Sequence, residues 1–277
     1  MIRIDGPAQA AFPLVLDSPH SGTEFPGDFG AAVSEFELRE GEDCFVDELW
    51  RPATALGVPL LSALFPRTYL DPNRHHGDID LDLIEGGLWP HEFQPSGKAK
   101  LGQALVWRTL GDGRPIYARK LSVAEVQGRI ERCHAPYHAA LRRLLDEGHA
   151  RHGRVLHLNC HSMASVANVQ SDDGAGTARA DFVLGDRDGT TCAPQLTQRV
   201  RETLESFGYS VAVNWPYKGV ELVRAYAAPA QGRHSLQVEI NKKLYMDEPS
   251  RCKHAGFSAL QADLLRLIQI IRAELLR

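Results

Sequence analysis

Two histidines stand in matching surroundings, Asp17-Ser18-Pro19-His20-Ser21-Gly22 and Leu158-Asn159-Cys160-His161-Ser162-Met163, each just past a short apolar run. Taken singly, His20 is as well explained as a hydrogen-bonded structural histidine. The repetition carries the information: two imidazoles leaving the ends of neighbouring parallel strands would enter one crevice. Zinc commonly takes two His and one carboxylate while leaving a position open for water. The carboxylate has three candidates in Glu42-Asp43-Cys44-Phe45-Val46-Asp47-Glu48. Asp43 and Asp47 are four apart and would share a helix face, one to bind metal and the other to orient a ligand. Alternatively, these acids simply complement the helix dipole.

Further stretches bear on chemistry. In Asp71-Pro72-Asn73-Arg74 an arginine follows a Pro-Asn turn, where a guanidinium can grip a carboxylate with two bonds or else pair with Asp71. Glu239, alone in the strand-like run Leu236 to Asn241, is costly to bury unless it is paired or used. Burial would raise its pKa and suit it to general acid and base work on a metal-bound water. Cations and donors at Tyr217-Lys218, Arg224 and Gln231-Gly232-Arg233-His234 can complete an anion pocket.

The elements that must position these groups follow from short Val, Leu and Ile runs bounded by turn residues. Strands are expected at Phe12–Leu16, Val58–Leu61, Val155–Leu158, Phe182–Leu184, Ser210–Val213 and Ser235–Ile240. Helices are expected at Asp43–Leu56, from the capping box Ser122/Glu125 to Leu145 with a bend at Pro136, at Gln195–Phe207, and at Ala255–Leu276. The alternation predicts an α/β fold with a mainly parallel or mixed central sheet and helices on both faces, ligands collecting beyond the strand ends. We expect one domain over residues 1–277, with a long loop excursion at about 78–115.

Composition narrows the classes. With 43% hydrophobic and 24% charged residues the chain is of ordinary globular type. A net charge of -4 without a Lys/Arg block argues against nucleic acid, and no apolar run reaches membrane-spanning length. With no signal-like start, the expected location is cytoplasmic. Five scattered cysteines without a C-x-x-C pair suit a reduced compartment. Cys44 and Cys160 adjoin candidate ligands, so a thiolate ligand or nucleophile stands beside the simpler reading of buried fillers.

In order along the chain, Ser18-Pro19-His20-Ser21-Gly22, Asp43 with Val46 and Leu49, Asp71-Pro72-Asn73-Arg74, Gly87-Leu88-Trp89-Pro90, Pro136-Tyr137-His138, Cys160-His161-Ser162-Met163, Gly185-Asp186-Arg187 and the run from Asn214 to Glu248 resemble the N-formylglutamate amidohydrolase family. The second glycine of that pattern is missing after Lys218-Gly219. The resemblance implies a fold similar to zinc carboxypeptidases and bacterial cell-wall amidases. It also implies hydrolysis of N-formyl-L-glutamate to formate and glutamate, a late step of one route of histidine breakdown. By position it implies Zn2+, or another divalent metal, on His20, Asp43 and His161. Glu239 and Arg74 would be catalytic, and Arg74, Arg224, Asn73 and His234 would contact a small acidic N-acyl amino acid. Other expectations are the same zinc chemistry on another N-acyl amino acid or a peptide amide, a binding protein that holds an anionic metabolite without turnover, and a cysteine hydrolase built on Cys160.

Overall fold

The structure, a computed structural model, describes residues 1–276. Its strands are β1 (Ile2–Asp5), β2 (Leu14–Ser18), β3 (Leu60–Ala63), β4 (Val155–Met163), β5 (Phe182–Gly185), β6 (Val211–Val213), β7 (Arg233–Asn241), β8 (Met246–Asp247) and β9 (Cys252–Lys253). Its α-helices are α1 (Glu35–Leu38), α2 (Val46–Trp50), α3 (Val123–Arg129), α4 (Ala135–His152), α5 (Pro194–Ser206), α6 (Glu221–Tyr226) and α7 (Gly256–Leu275). Seven strands form one sheet in the order β1-β3-β2-β4-β7-β5-β6, and β8 and β9 pair separately. Neighbours β2, β4 and β7 are parallel, whereas β5 runs antiparallel to β7. The sheet is therefore mixed, in an α/β fold.

The backbone divides into two compact units. The first holds Met1–Arg3, Pro19–Glu42 and Ser62–Leu141; the second holds Ile4–Ser18, Asp43–Leu61 and Arg142 onward.

In the second unit, alternation along the strands decides which side chains go where. Leu14 and Leu16 of β2, Leu156, Leu158 and Cys160 of β4, Phe182 and Leu184 of β5, and Leu236, Val238 and Ile240 of β7 join one apolar cluster. That face packs with Leu49 and Trp50 of α2, Val200 and Leu204 of α5, and Leu260, Leu264, Leu267 and Ile271 of α7. Successive side chains of a strand point to opposite faces. The intervening residues Asp17, His157, Asn159, His161, Ser235, Gln237 and Glu239 therefore share the other face, and they are buried too. A buried polar face is affordable only where its groups are bonded to one another.

That alternation also explains why β4 outruns its expected end at Leu158. Polar residues interrupt the apolar run, yet nine consecutive β4 residues pair with β7, so His161 lies within the strand rather than beyond it. The helix expected over Asp43–Leu56 is reduced to α2 and a 3-10 stretch, Arg51–Leu56, with Pro52 at its start. Phe45 precedes α2 in a left-handed conformation, so Asp43 and Asp47 do not share one helical face. β1 carries no clear apolar signal and was not expected.

In the first unit, the capping box of Ser122 and Glu125 starts α3 as expected. Just ahead of Pro136 the chain passes from α3 to α4 through a π-helical turn, Ile130–His134. The wide turn changes the backbone pairing just ahead of the residue that has no N–H to give. The expected excursion is irregular apart from 3-10 turns at Glu85–Gly87 and Gly97–Leu101. Truncating the second unit's core should be expensive: Leu236→Ala is expected to lower the unfolding free energy by about 2–5 kcal/mol, measured by chemical denaturation.

Candidate functional site

Within the second unit the parallel register sets Asp17 beside Asn159, Asn159 beside Gln237, and His161 beside Glu239. His161 contacts Asp43 through Nδ1 (2.9 Å to Oδ2), and its Nε2 lies 2.7 Å from Asn159 Oδ1. Asn159 Nδ2 donates to Asp17 Oδ1 at 2.8 Å, and His157 Nε2 reaches the same oxygen at 2.8 Å. His157 Nδ1 is 2.5 Å from Ser235 Oγ. Asp43 sits in the turn before α2, where Tyr245 donates its buried hydroxyl to the Cys44 carbonyl at 2.9 Å. The other two acids considered for metal are engaged elsewhere. Arg39 holds Glu42 through two bonds, and Arg51 holds Asp47 at 2.6 Å.

Glu239 accepts from Gln237 Nε2 at 2.9 Å, while the amide oxygen of Gln237 is buried without a partner. Burial, then the charge of Glu239, pushes the Tyr217 hydroxyl up to about 12. Arg179 lies over the Tyr217 ring and is held by both oxygens of Asp173. Burial works against its charge, but Asp173, with a smaller share from Glu239, raises its pKa overall. Nothing in the sequence singled out Arg179.

In the first unit, His20 follows the end of β2 by two residues, and its Nε2 bonds Asp71 Oδ1 at 2.7 Å. Gly22 is required here: a Cβ would collide with the Phe65 carbonyl oxygen and the Leu64 backbone. Asp71 also accepts from the Asn73 amide and from Arg67 at 2.7 Å. Burial opposes ionisation of Asp71, but the charges of Arg67, His20 and Arg74 overcome it and hold the carboxyl well below the ordinary range. Arg67, rather than Arg74, makes the close ion pair. Arg74 reaches the Gln103 carbonyl at 3.4 Å and the Asn73 carbonyl at 3.3 Å, with Asp71 and Asp78 only at 3.8–3.9 Å. Burial lowers its pKa, so this loosely bonded guanidinium gains most from a further anion. Two histidines absent from the expected set brace its turn from beneath. His138 donates to the Pro72 carbonyl and His134 to that of Arg74, with their rings stacked at 4.0 Å.

One expected substrate contact, His234, lies apart from Glu239. His234 is five residues back along β7, roughly 16 Å at the usual strand rise, and points to the opposite face. Its Nδ1 accepts from the Ala193 amide. The pattern of cations around it in the sequence did not reveal the face it occupies. Arg224 is half exposed on α6 and paired with Glu221 at 2.6 Å. Cys160 is unsuited to nucleophilic work, because it is buried on the apolar face and burial raises its thiol pKa well above the usual value. Another donor group, His75 and His76 just before the excursion with Glu92 on it, is more exposed.

Fold and site together define a mixed α/β protein whose sheet carries, on its polar face, an imidazole beside a glutamate, with a carboxylate from the turn before α2 paired to the imidazole. The family model described as N-formylglutamate amidohydrolase matches residues 12–246, and the chain belongs to that family. A crystal structure of N-formylglutamate amidohydrolase from Ralstonia eutropha JMP134 is 47% identical, with a TM-score of 0.94, over 99% of this chain and 98% of that one. The N-formylglutamate deformylase of Pseudomonas aeruginosa is 30% identical over 95% of this chain and 91% of its own length. That of Pseudomonas putida is 28% identical over 97% and 92%. Among the described residues, no helix is long and apolar enough to cross a membrane.

Two measurements check this account. A thiol reagent is expected to label the exposed Cys252 rapidly and Cys160 only after unfolding, with Cys252→Ser removing the fast phase. Because Asp71 has a depressed folded pKa, its charge contributes stability above the unfolded value of about 3.9 and loses it only as pH falls through the lower folded value. The stability gap between the parent and Asp71→Asn should therefore be full at neutral pH and close in strong acid, as read by denaturation at a series of pH values.

Proposed function

We propose that the chain hydrolyses N-formyl-L-glutamate to formate and L-glutamate with a divalent metal, zinc by preference, held by His20, Asp43 and His161. The near full-length similarity to N-formylglutamate amidohydrolases carries the substrate assignment. The donor chemistry supports the metal. Asn159 presents an oxygen to Nε2 of His161, leaving Nδ1 to face Asp43 Oδ2 at 2.9 Å. Two lone-pair atoms that close need a positive centre between them, a proton or the metal ion that would replace it. His20 resembles it, with Nε2 given to Asp71, as metal-bound histidines commonly give their second nitrogen to an acceptor. Two imidazoles and one carboxylate also match the usual catalytic zinc set.

When bound, the metal supplies Lewis acidity for polarising the formyl carbonyl and for activating water. The chain's own residues do the rest. Glu239 takes a proton from the attacking water and returns it to the amine nitrogen, so the C–N bond breaks to give the amine and formic acid, which gives its remaining proton to the amine or to solvent and leaves as formate. Gln237 aims the Glu239 carboxylate through its amide hydrogen bond. Arg74, short of close partners, pairs with a substrate carboxylate or steadies the developing oxyanion, with Asn73 shaping its turn. Arg224 is a second candidate for the other carboxylate once it leaves Glu221.

The test is formate release from N-formyl-L-glutamate by purified protein before chelation, after it, and after zinc is restored. Turnover that is lost and regained is expected; protein loaded with zinc that releases no formate would sink the substrate assignment, and a panel of other N-acyl amino acids would then replace it. Glu239→Gln should lower kcat by about 10²–10⁴ with little change in KM. Arg74→Met should raise KM for the dicarboxylate by about 10–100-fold, the worth of a charged hydrogen bond, and far less for a neutral acyl amino acid. Equal effects on both substrates would count against its role.

A further inference from the structure

We infer that Asp17, acting through Asn159, is a positioning residue that locks the ring of His161 in the one tautomer able to serve a metal. This rests on the metal reading above. The argument is one of hydrogen-bond polarity along four fully or almost fully buried side chains, Asp17, His157, Asn159 and His161.

A carboxylate only accepts. Asp17 Oδ1 therefore takes a hydrogen from Asn159 Nδ2 and another from His157 Nε2, both at 2.8 Å. An amide has one nitrogen and one oxygen, so spending the nitrogen on Asp17 turns the oxygen of Asn159 the other way, to within 2.7 Å of His161 Nε2. A carbonyl oxygen also only accepts, so Nε2 must carry hydrogen and Nδ1 is left as the donor atom on the Asp43 side. Without Asp17 as acceptor, no other hydrogen bond at Asn159 among the described residues holds its side-chain nitrogen away from the ring, and a flipped amide would present N–H to the ring and reverse its tautomer. His157 and Ser235 close the row from behind. His157 gives Nε2–H to Asp17, so its Nδ1 takes the Ser235 hydroxyl hydrogen at 2.5 Å, which fixes the far side of the carboxylate.

The placement is made by the sheet. Asp17 and Asn159 are register partners on parallel strands, and His161 follows Asn159 on the same face by the two-residue strand period. The bonds therefore link rigid neighbours rather than loops, as a positioning device needs.

The test compares the full-length parent with Asn159→Ala, Asn159→Asp and Asp17→Asn, each stripped of metal and checked for folding by circular dichroism. Zinc affinity is measured by competition with a chromophoric chelator, and unfolding temperature is measured without metal. Loss of such an outer-shell partner typically weakens metal binding about 10–100-fold, and Asn159→Ala is expected to do so. Asp17→Asn should give a smaller loss, since it keeps the shape but not the charge that orients the amide. Asn159→Asp sets two carboxylates together and should lower the unfolding temperature, yet keeps an oxygen towards His161 and should hold zinc more tightly than Asn159→Ala. A purely structural row would instead make affinity follow stability, or leave it at the parental value in every folded variant, and either result overturns the inference. Should Asn159→Ala fail to fold, the other two variants carry the same comparison. A parent that binds no zinc overturns the metal reading itself, which differs visibly from a parent and variants that bind equally well.

Discussion

A carboxylate buried in the middle of a sheet is the interaction on which the second unit depends. Asp17 has no solvent exposure, and an ionised group out of water is tolerated only when donors surround it. Its partners come from β4, so β2 and β4 must meet in the register that sets Asp17 against Asn159. A slip of one residue would turn Asp17 into the apolar cluster and Leu16 into the polar row. The chemistry and the strand register are thus specified together.

The first unit solves the same problem with a different acceptor. His20 is held by the carboxylate of Asp71, and that charge is stabilised in turn by Arg67, with Arg74 farther off. His161 is held by a neutral amide whose direction is set one residue further back. The two candidate ligands therefore differ in what stands behind the ring even though both engage Nε2.

Supporting groups extend well behind the residues that would touch substrate. Arg129 is buried without a close carboxylate among its described hydrogen bonds. Its guanidinium donates to the Tyr69 and Phe29 carbonyls and to the Tyr117 hydroxyl, and stands over all three rings. Carbonyl dipoles and ring faces there replace a counter-ion. Together with His134 and His138 it ties the helical segment to the turn bearing Asp71, Asn73 and Arg74.

The sequence by itself determined the alternation of strands and helices, most strand centres, the two histidines, the glutamate in a strand and the arginine after its turn, because apolar periodicity and unusual residue types are local signals. The family membership was legible for the same reason, in motifs that keep their order along the chain. Only the tertiary structure decided that Asp43 rather than Glu42 or Asp47 faces His161, that Arg67 rather than Arg74 takes Asp71, and that His234 points away from Glu239. The polar row was half visible, since His157, Asn159 and His161, like Ser235, Gln237 and Glu239, recur with period two. Period two reveals a face but not the strand opposite or the register of the pair. Those are fixed by contacts between residues more than a hundred positions apart in the case of Asp17 and Asn159, where the cost of a buried charge selects the partner.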